Sequence, residues 1–466
     1  MIITCCWWKN TKSITTKTNL MRNILFLLSV CLLASIGMQA QSNVLPAPPQ
    51  KGIIFIKNAT IHVGNGKVIE NGMIKIANGK IEEVGSNIAV PSGDVAVYDV
   101  KGKHVYPGLI MPTTNLGLVE MNNVRATNDS RELGDLNPNV RSLVAYNTDS
   151  KVINTLRSNG ILIANIVPQG SLLAGSSSVV QLDAWTWDDA AYKADGGMHL
   201  YMPSLLPRPT FGRGGGGGGG RGAGPNAPAS DPVKAGLEQV ERIKTFFREA
   251  QAYLAEPNHQ ETNLKFESTR NLFGKTQKLY AHANTVKQML VALDFVKEFG
   301  FDLVIVGGSD SYLIADLLKQ HNVSVILQQP HRLPTATDDD VDQPFKTAAQ
   351  LQKAGVLFAI SDESSNTRGR NLAFNAGTAA AYGLTKEEAL AAITLNAAKV
   401  MGVADKTGSI EVGKDANIIV SEGDILDMKS SVVTDAFIQG RKIDLDDKQK
   451  QLNDRYNQKY NLKKPF

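Results

Sequence analysis

The sequence predicts an α/β fold in which a (β/α)8 barrel of the TIM type carries a smaller β domain. In the second half of the chain, short apolar runs alternate with amphipathic stretches, which is the pattern of a parallel sheet. Strand-like segments also lie near both ends of the chain. The length of 466 residues exceeds one ordinary domain and suits a barrel of about 250–300 residues with a small second domain.

The first 40 residues have the pattern of a secretory signal peptide with extra residues in front. Met21 and Arg22 precede an apolar run over residues 24–36, and small residues lead up to Ala40. This run is shorter than the roughly 20 residues that a membrane-spanning helix needs, so cleavage near Ala40 is favoured over an uncleaved anchor. We expect export to the periplasm or the cell exterior, no stable membrane anchor, and residues 1–20 to be upstream translation.

Cleavage of the signal peptide would change the cysteine content and the net charge of the mature chain. All three cysteines precede the expected cleavage point, so a metal in the mature chain would need His, Asp, Glu or carboxylated Lys as ligands. Cleavage removes four of the 49 basic residues and no acidic residue, which leaves 49 − 4 = 45 basic residues against 45 acidic ones. A neutral chain gives no reason to expect nucleic acid or an anionic membrane as a partner.

Residues 41–105 and residues 408–445 are each predicted to contain β-strands, and residues 446–466 are predicted to form a polar tail. Asn78-Gly79, between two alternating runs, is a strong signal for a tight hairpin. Periodicity by itself does not pair the two ends of the chain. Strands are expected over Ile53–Ile56, Ala59–Val63, Met73–Ile76, Lys80–Val84, Ala416–Val420 and Thr434–Ile438.

Residues 106–407 are predicted to form the barrel. Barrels of this type carry their active sites in the loops that follow the strands. His282, His331 and Asp362 fall at such strand ends. The expected strands are Lys278–Ala283, Asp302–Val306, Val323–Leu327 and Val356–Ile360, and the helices between them are Val286–Phe299, Ser311–Gln320 and Phe345–Lys353.

One segment within the barrel, residues 207–231, interrupts the alternation. It contains seven consecutive glycines, Gly214–Gly220, and is predicted to be a surface insertion because it cannot bury a core. No strand runs into it and no Gly-Lys-Ser/Thr follows, so it does not match a phosphate-binding loop. Asp231-Pro232 then predicts the start of a helix that runs to about Leu254.

Two further segments resemble the metal-dependent amidohydrolase superfamily. Val105–Leu118, VYPGLIMPTTNLGL, is similar to the first barrel strand of that family, in which Asp-x-His-x-His follows the Pro-Gly pair. Gly408–Val420, GSIEVGKDANIIV, is similar to the closing segment of its imidazolonepropionase-like members. The resemblance covers residues 52–445 and implies a (β/α)8 barrel, one β-sandwich built from both chain ends, and hydrolysis of C–N bonds.

The resemblance also implies one or two divalent metals, for which this chain keeps few ligands. Thr113 and Asn115 stand at the two histidine positions of the first strand, and Met111 stands at the aspartate position. His282 matches the histidine of strand 5. Asp362 matches the aspartate of strand 8, which binds metal and transfers the proton during catalysis.

Other family positions are also changed. The histidine of strand 6 is absent near Val306–Gly308, and a weaker alignment puts Gln181 at the lysine of strand 4. A catalytic zinc needs three protein ligands, and His331 could complete a set with His282 and Asp362. The alternatives are that His331 is an ordinary loop histidine, and that His282 bonds Asp362 with a raised pKa and no metal.

A polar run, Arg125–Glu132, follows the first barrel strand. It could line the barrel mouth and bind a carboxylate through an arginine fork, or it could be a solvated loop. Trp185 and Trp187 could be an aromatic wall of the site or could serve packing.

Two functional hypotheses follow. The first is an exported hydrolase that acts on small amides, cyclic amides or dipeptides with zinc or another divalent metal in a reduced site, and with Asp362 as the catalytic residue. The second is an inactive relative that holds no metal and binds a ligand, or forms a homo-oligomer or pairs with an intact homologue. The resemblance favours the first hypothesis, and the number of remaining ligands favours the second.

Overall fold

The computed structural model describes residues 45–462, except 94, 122, 171, 206–230, 336–337 and 363–366. The expected signal segment, residues 1–40, lies outside the described residues, and so does the insertion 207–231 apart from Asp231. The elements below belong to the compact unit Pro46–Phe466. Within the described residues, no helix is both long and apolar enough to cross a membrane.

The described elements alternate between strands and helices over the middle of the chain. The strands are β1 (Ile53–His62), β2 (Val68–Ala77), β3 (Lys80–Gly85), β4 (Val95–Asp99), β5 (His104–Pro107), β6 (Leu109–Thr114), β7 (Ile161–Ile166), β8 (Leu173–Gln181), β9 (Ala191–Tyr201), β10 (Lys278–Ala283), β11 (Leu303–Gly307), β12 (Ser324–Leu327), β13 (Phe358–Ile360), β14 (Ile418–Ser421), β15 (Val433–Ile438) and β16 (Arg441–Lys442). The helices are α1 (Lys151–Arg157), α2 (Trp187–Ala190), α3 (Pro232–Ala255), α4 (Leu264–Glu267), α5 (Arg270–Phe273), α6 (Val286–Phe299), α7 (Ala315–Gln320), α8 (Gln343–Ala354), α9 (Leu372–Ala381), α10 (Lys386–Ala392), α11 (Leu395–Met401) and α12 (Lys448–Tyr460). Short 3-10 helices span Arg125–Thr127, Ser142–Ala145, Ser311–Ile314 and Arg368–Asn371.

The small domain is one connected sheet with strands from both ends of the chain. Its order is β16-β15-β14-β5-β1-β2-β3, and β4 also pairs with β1. Strand β5 joins the two ends, because it pairs with β1 on one side and places Tyr106 opposite Ile419 of β14 on the other. Asn78 (φ 52°) and Gly79 (φ 77°) form the hairpin turn between β2 and β3, as the Asn-Gly pair predicts.

The second sheet contains eight strands, which follow in the order β6 to β13. Its two edge strands meet: the Ser361 hydroxyl, just after β13, donates to the Thr113 carbonyl oxygen of β6 at 3.1 Å. The sheet therefore nearly closes into a barrel. Together with the small domain, this confirms the fold class predicted from the sequence.

Strand β8 departs from the alternation of strand and helix, because it runs antiparallel to both neighbours. Strand β7 ends at Ile166 and β8 begins at Leu173, and a parallel crossover needs a dozen or more residues. The chain must therefore turn back, which places Gln181 at the end of the barrel opposite to His282. The alignment of Gln181 with the lysine of strand 4 is thus wrong, since the fourth strand is β9.

The helices that pack outside the barrel begin and end close to the bounds expected from the sequence. Helix α3 starts with Asp231 as its cap, whose Oδ1 accepts from the backbone N–H of Val233 at 3.0 Å. Helix α6 has the expected bounds and a capping box of Thr285 and Gln288. The helix expected over 311–320 is divided into a 3-10 turn and α7, and the polar tail contains α12.

A buried carboxylate lies just after β8, at the end of the barrel opposite to His282. Asp183 accepts from Arg157 Nη1 at 2.5 Å and from Arg441 Nη1 at 2.8 Å. It also accepts from the backbone N–H of Ala47 at 2.9 Å. One side chain thus fastens the N-terminal segment, the barrel and the C-terminal strand to each other.

Candidate functional site

A small cavity lies where β6, β9 and β10 reach the mouth of the barrel. Strand pairing places His282 of β10 opposite Tyr201 of β9, and both side chains face this cavity. Its volume is about 100 Å³, and the residues that line it are Thr113, Thr114, Asn115, Val167, Gln169, Tyr201 and His282. Of the residues predicted as metal ligands or catalytic groups, this set contains His282.

Thr113, at one of the two histidine positions of the first strand, is engaged in closing the barrel. Its hydroxyl lies 2.8 Å from the hydroxyl of Ser361, and its side chain is 1% exposed. The Ser361 hydroxyl is also 3.5 Å from the sulfur of Met111. Two of the changed positions of β6, Met111 and Thr113, therefore form one packed, neutral contact with Ser361.

His282 is paired with a second histidine that lies deeper in the barrel. Its Nε2 is 3.0 Å from Nδ1 of His199 on β9. Each imidazole is also covered by a tyrosine: Tyr201 stacks on His282 with ring centres 3.9 Å apart, and Tyr280 stacks on His199 at 4.9 Å. The centre of this site is thus a layered group of two imidazoles and two phenols.

Both imidazoles of this pair are neutral at physiological pH. Burial lowers the pKa of His282 to about 3. Burial holds the pKa of His199 well below its usual value, and the neighbouring His282 lowers it further. The alternative that His282 bonds Asp362 with a raised pKa is therefore wrong in both its partner and its direction.

The other two predicted ligands are engaged elsewhere. Asp362 is 4% exposed, and its Oδ2 accepts from Nδ2 of Asn375 on α9 at 3.1 Å. His331 is exposed, with its Nε2 3.1 Å from the Thr378 hydroxyl and its ring against Phe345. Among the described residues, no group of three or more His, Cys, Asp or Glu is placed to hold a metal ion.

Known proteins share both the sequence pattern and the architecture. A family model described as amidohydrolase family matches residues 259–443. The crystal structure of an amidohydrolase from Thermotoga maritima MSB8 superposes with a TM-score of 0.70 at 26% identity, over 84% of this chain and 99% of that one. The chain is therefore similar to the amidohydrolase superfamily in both its sequence and its fold.

Curated relatives within this superfamily include imidazolonepropionases. The protein from Thermoplasma volcanium is 38% identical over 86 residues, which are 18% of this chain and 21% of that one. The protein from Flavobacterium johnsoniae is 35% identical over 82 residues, which are 17% of this chain and 20% of that one. The chain thus spans about a fifth of the length of the curated relatives it matches.

Amidohydrolases typically depend on a metal, but the side chains at this mouth do not fit one. Zinc prefers imidazole and carboxylate ligands when thiolates are absent. The first strand offers a threonine hydroxyl that Ser361 already engages and the amide of Asn115. One nitrogen of His282 is turned to His199.

A larger groove lies beside the small cavity and contains the polar run that follows β6. Its volume is about 1030 Å³. Arg141 is paired with Asp195 at 2.7 Å, whereas Arg125 and Arg131 form no ion pair within the described part of the chain. The lining includes Asn123, Arg125, Asn128, Asp129, Arg131, Glu132, Arg141, Ser142 and Pro168.

Two hydrogen bonds connect the segment that contains the groove residues to the small cavity. Gln169, which lines the cavity, donates its backbone N–H to the Ser130 carbonyl oxygen at 2.6 Å. The Tyr201 hydroxyl donates to the carbonyl oxygen of Pro168, which lines the groove, at 3.1 Å. Trp185 and Trp187 follow β8 and therefore lie at the opposite end of the barrel from this mouth.

Sequence reasoning missed His199 and Tyr201. Both belong to β9, where Gly197, His199 and Tyr201 alternate with Met198 and Leu200. This alternation is the signal of a strand with one distinctive face. The alternation is visible in the sequence, but β9 lies next to the glycine-rich insertion, where the repeat of strands and helices is interrupted.

Proposed function

We propose that this amidohydrolase-like protein binds a small amide or cyclic amide at its barrel mouth and does not hydrolyse it through a metal. The observation that carries this proposal is the identity of the groups around the cavity. Two threonines, an asparagine, a glutamine, a tyrosine and a neutral histidine line it. Such groups hydrogen-bond a polar ligand, but they do not hold a divalent cation.

The chemistry of water explains why hydrolysis needs more than these groups. Bulk water has a pKa of about 15.7, and a bound metal lowers it to about 7. Neither His282 nor His199 carries a charge near neutral pH, because burial holds both pKa values low. The site therefore supplies neither a hydroxide nor a cation to stabilise an oxyanion.

The outer groove supports a ligand that carries a carboxylate. Arg125 and Arg131 line it and have no acidic partner within the described residues. A guanidinium forms two parallel hydrogen bonds to a carboxylate. A ligand with its amide in the cavity and its carboxylate in the groove would use both spaces, which Ser130 and Gln169 connect.

The second candidate is a hydrolase that acts on C–N bonds with a reduced metal site of His282, His331 and Asp362. The fold supports it, since the amidohydrolase from Thermotoga maritima superposes over 99% of its own length. This candidate requires His331 to leave Thr378 and approach His282. Metal content separates the two candidates without knowledge of the substrate.

Zinc content of the purified protein, measured after dialysis against a weak chelator, tests the proposal. We expect far less than one zinc per chain in the unchanged protein. Thr113→His/Asn115→His should raise the content towards about one, because two imidazoles then join His282 and Asp362 as ligands. Thr113→Asn/Asn115→Gln is the matched control, since it keeps polar side chains without adding imidazole.

Near-stoichiometric zinc in the unchanged protein would contradict the proposal. In that case His331→Ala identifies the site. Loss of the zinc in this variant would favour the second candidate, with His282, His331 and Asp362 as its ligands.

We also propose that the protein acts outside the cytoplasm, after cleavage near Ala40. The support is the short apolar run over residues 24–36 and the small residues that follow it. N-terminal sequencing of exported material should give a chain that begins near Gln41. A mature chain that keeps Met21, or that fractionates only with membranes, would contradict this proposal.

A further inference from the structure

The hydrogen bond between His199 and His282 can be made in two ways. Two neutral imidazoles share one proton along the 3.0 Å line between Nδ1 of His199 and Nε2 of His282. If His282 donates, its Nδ1 is a bare acceptor and His199 carries its own proton on Nε2. If His199 donates, His282 carries a proton on Nδ1 and the Nε2 of His199 is bare.

The surroundings of His199 distinguish these two arrangements. His199 is 0% exposed, and its Nε2 is buried with no hydrogen-bond partner in the described structure. An orphaned buried N–H group is rarer in proteins than an acceptor that lacks a partner. The arrangement that leaves Nε2 of His199 bare is therefore favoured, and in this arrangement His199 is the donor.

The outer nitrogen of His282 is the group that this choice affects. His282 lines the small cavity. Its Nδ1 has no hydrogen-bond partner among the described residues, and it does not belong to the unpartnered atoms that are sealed off by burial. The tautomer of His282 thus decides whether the cavity meets a hydrogen-bond donor or an acceptor at this point.

We propose that His199 is a positioning residue that fixes His282 as a neutral Nδ1–H donor, so that the cavity selects the carbonyl oxygen of a neutral amide or lactam. This inference rests on the proposed function, in which the cavity binds an amide. The fixed donor excludes ligands that present only an N–H at this point. Tyr201, stacked on His282 at 3.9 Å, holds the imidazole plane in place.

Long-range 1H–15N correlation of the imidazoles tests the inference in the full protein at pH 7, labelled with 15N-histidine. His282→Gln assigns the signals. We expect His282 to show the Nδ1–H pattern and His199 to show the same pattern. An Nε2–H pattern at His282, or a doubly protonated ring, would overturn the inference.

Two variants of His199 show whether it acts through its donor. In His199→Asn the amide N–H can replace the Nδ1–H group, so His282 should keep its tautomer. In His199→Phe the ring that stacks on Tyr280 remains but the donor is lost, so the Nδ1–H pattern of His282 should cease to dominate. An unchanged His282 tautomer in His199→Phe would overturn the positioning role.

A small lactam tests ligand selection. Addition of 2-pyrrolidinone should shift the Nδ1 signal of His282, whereas pyrrolidinium, a ring of similar size that presents only N–H groups, should not. Equal shifts with both compounds, or none with 2-pyrrolidinone, would contradict carbonyl selection. The tautomer is measured without ligand or metal. An unexpected tautomer would therefore contradict this inference alone, whereas near-stoichiometric zinc would contradict the proposed function.

Discussion

His282 shows, at the scale of one residue, how neighbours change what a side chain can do. The family resemblance identifies this position as a metal ligand. In the structure, however, His199 is hydrogen-bonded to one nitrogen of His282, and burial lowers the pKa of His282 to about 3. The motif around Thr113 and Asn115 made the loss of two histidines visible in the sequence. The partner of His282 could not be predicted, because no sequence motif indicates that β9 and β10 are neighbours in the sheet.

The low pKa of His282 predicts a loss of stability in acid. An unfolded histidine has a pKa of about 6.5, whereas that of folded His282 is about 3. Between these values the unfolded chain binds the extra proton, so stability is complete above pH 6.5 and falls as the pH is lowered. We expect His282 to contribute a loss of about 2 kcal/mol between pH 7 and pH 5.

Urea unfolding of the unchanged protein and of His282→Gln, at several pH values, measures this contribution. The variant should lose less stability over this range than the unchanged protein. His321→Gln, at a position that follows α7 on the outside of the barrel, is the control for the effect of the substitution itself. The same dependence of the free energy of unfolding on pH in the unchanged protein and in His282→Gln would contradict the prediction.

Strand β8 shows which information about elements is local. Its existence follows from a run of residues that are all buried, and its direction follows from the short connection after Ile166. The family resemblance suggested a regular alternation of strand and helix, and this hid the antiparallel strand. Elements with capping signals, such as α3 and α6, were predicted within about one residue because those signals are local.

The start of α3 offers a direct test of such a local signal. Asp231→Ala removes the acceptor for the Val233 backbone N–H and should lower the free energy of unfolding by about 1 kcal/mol. Asp231→Asn keeps an acceptor oxygen and should stay near the unchanged protein. Urea unfolding measures both, and equal losses in the two variants would show that the carboxylate charge, and not the cap, is responsible.

The whole molecule depends on contacts between residues that are far apart in the chain. No periodicity pairs β5 with β14, and only the family resemblance suggested that both ends form one domain. The ion pairs of Asp183 with Arg157 and Arg441 have no sequence signal either, since each partner lies on a different element. Long-range contacts of this kind are the part of the fold that single-sequence reasoning does not reach.

Asp183 should be among the most sensitive positions of the protein. Asp183→Asn leaves two arginines without their anion, and one of them, Arg157, has a side chain that is 4% exposed. Removal of one partner from a buried pair typically costs about 3–5 kcal/mol. Lys80→Met is the matched control: it breaks the pair with Asp415, in which Lys80 is 53% exposed, and should cost less than about 1 kcal/mol.

Equilibrium unfolding in urea compares the two variants. A similar, small decrease in the free energy of unfolding in both variants would show that the ion pairs of Asp183 do not stabilise the contact between the chain ends and the barrel.

The position of β14 beside β5 also fixes the order in which this protein can be completed during its synthesis. The first five strands leave the ribosome early, but the edge of β5 has no neighbour until residues 418–421 have been made. Asp183 likewise waits for Arg441. A nascent chain that stops before these residues therefore exposes an unpaired strand edge, which is open to proteases and to other chains. The small domain is therefore complete only once residues 418–421 are available to pair with β5, and a truncation before residue 418 leaves that edge of β5 open.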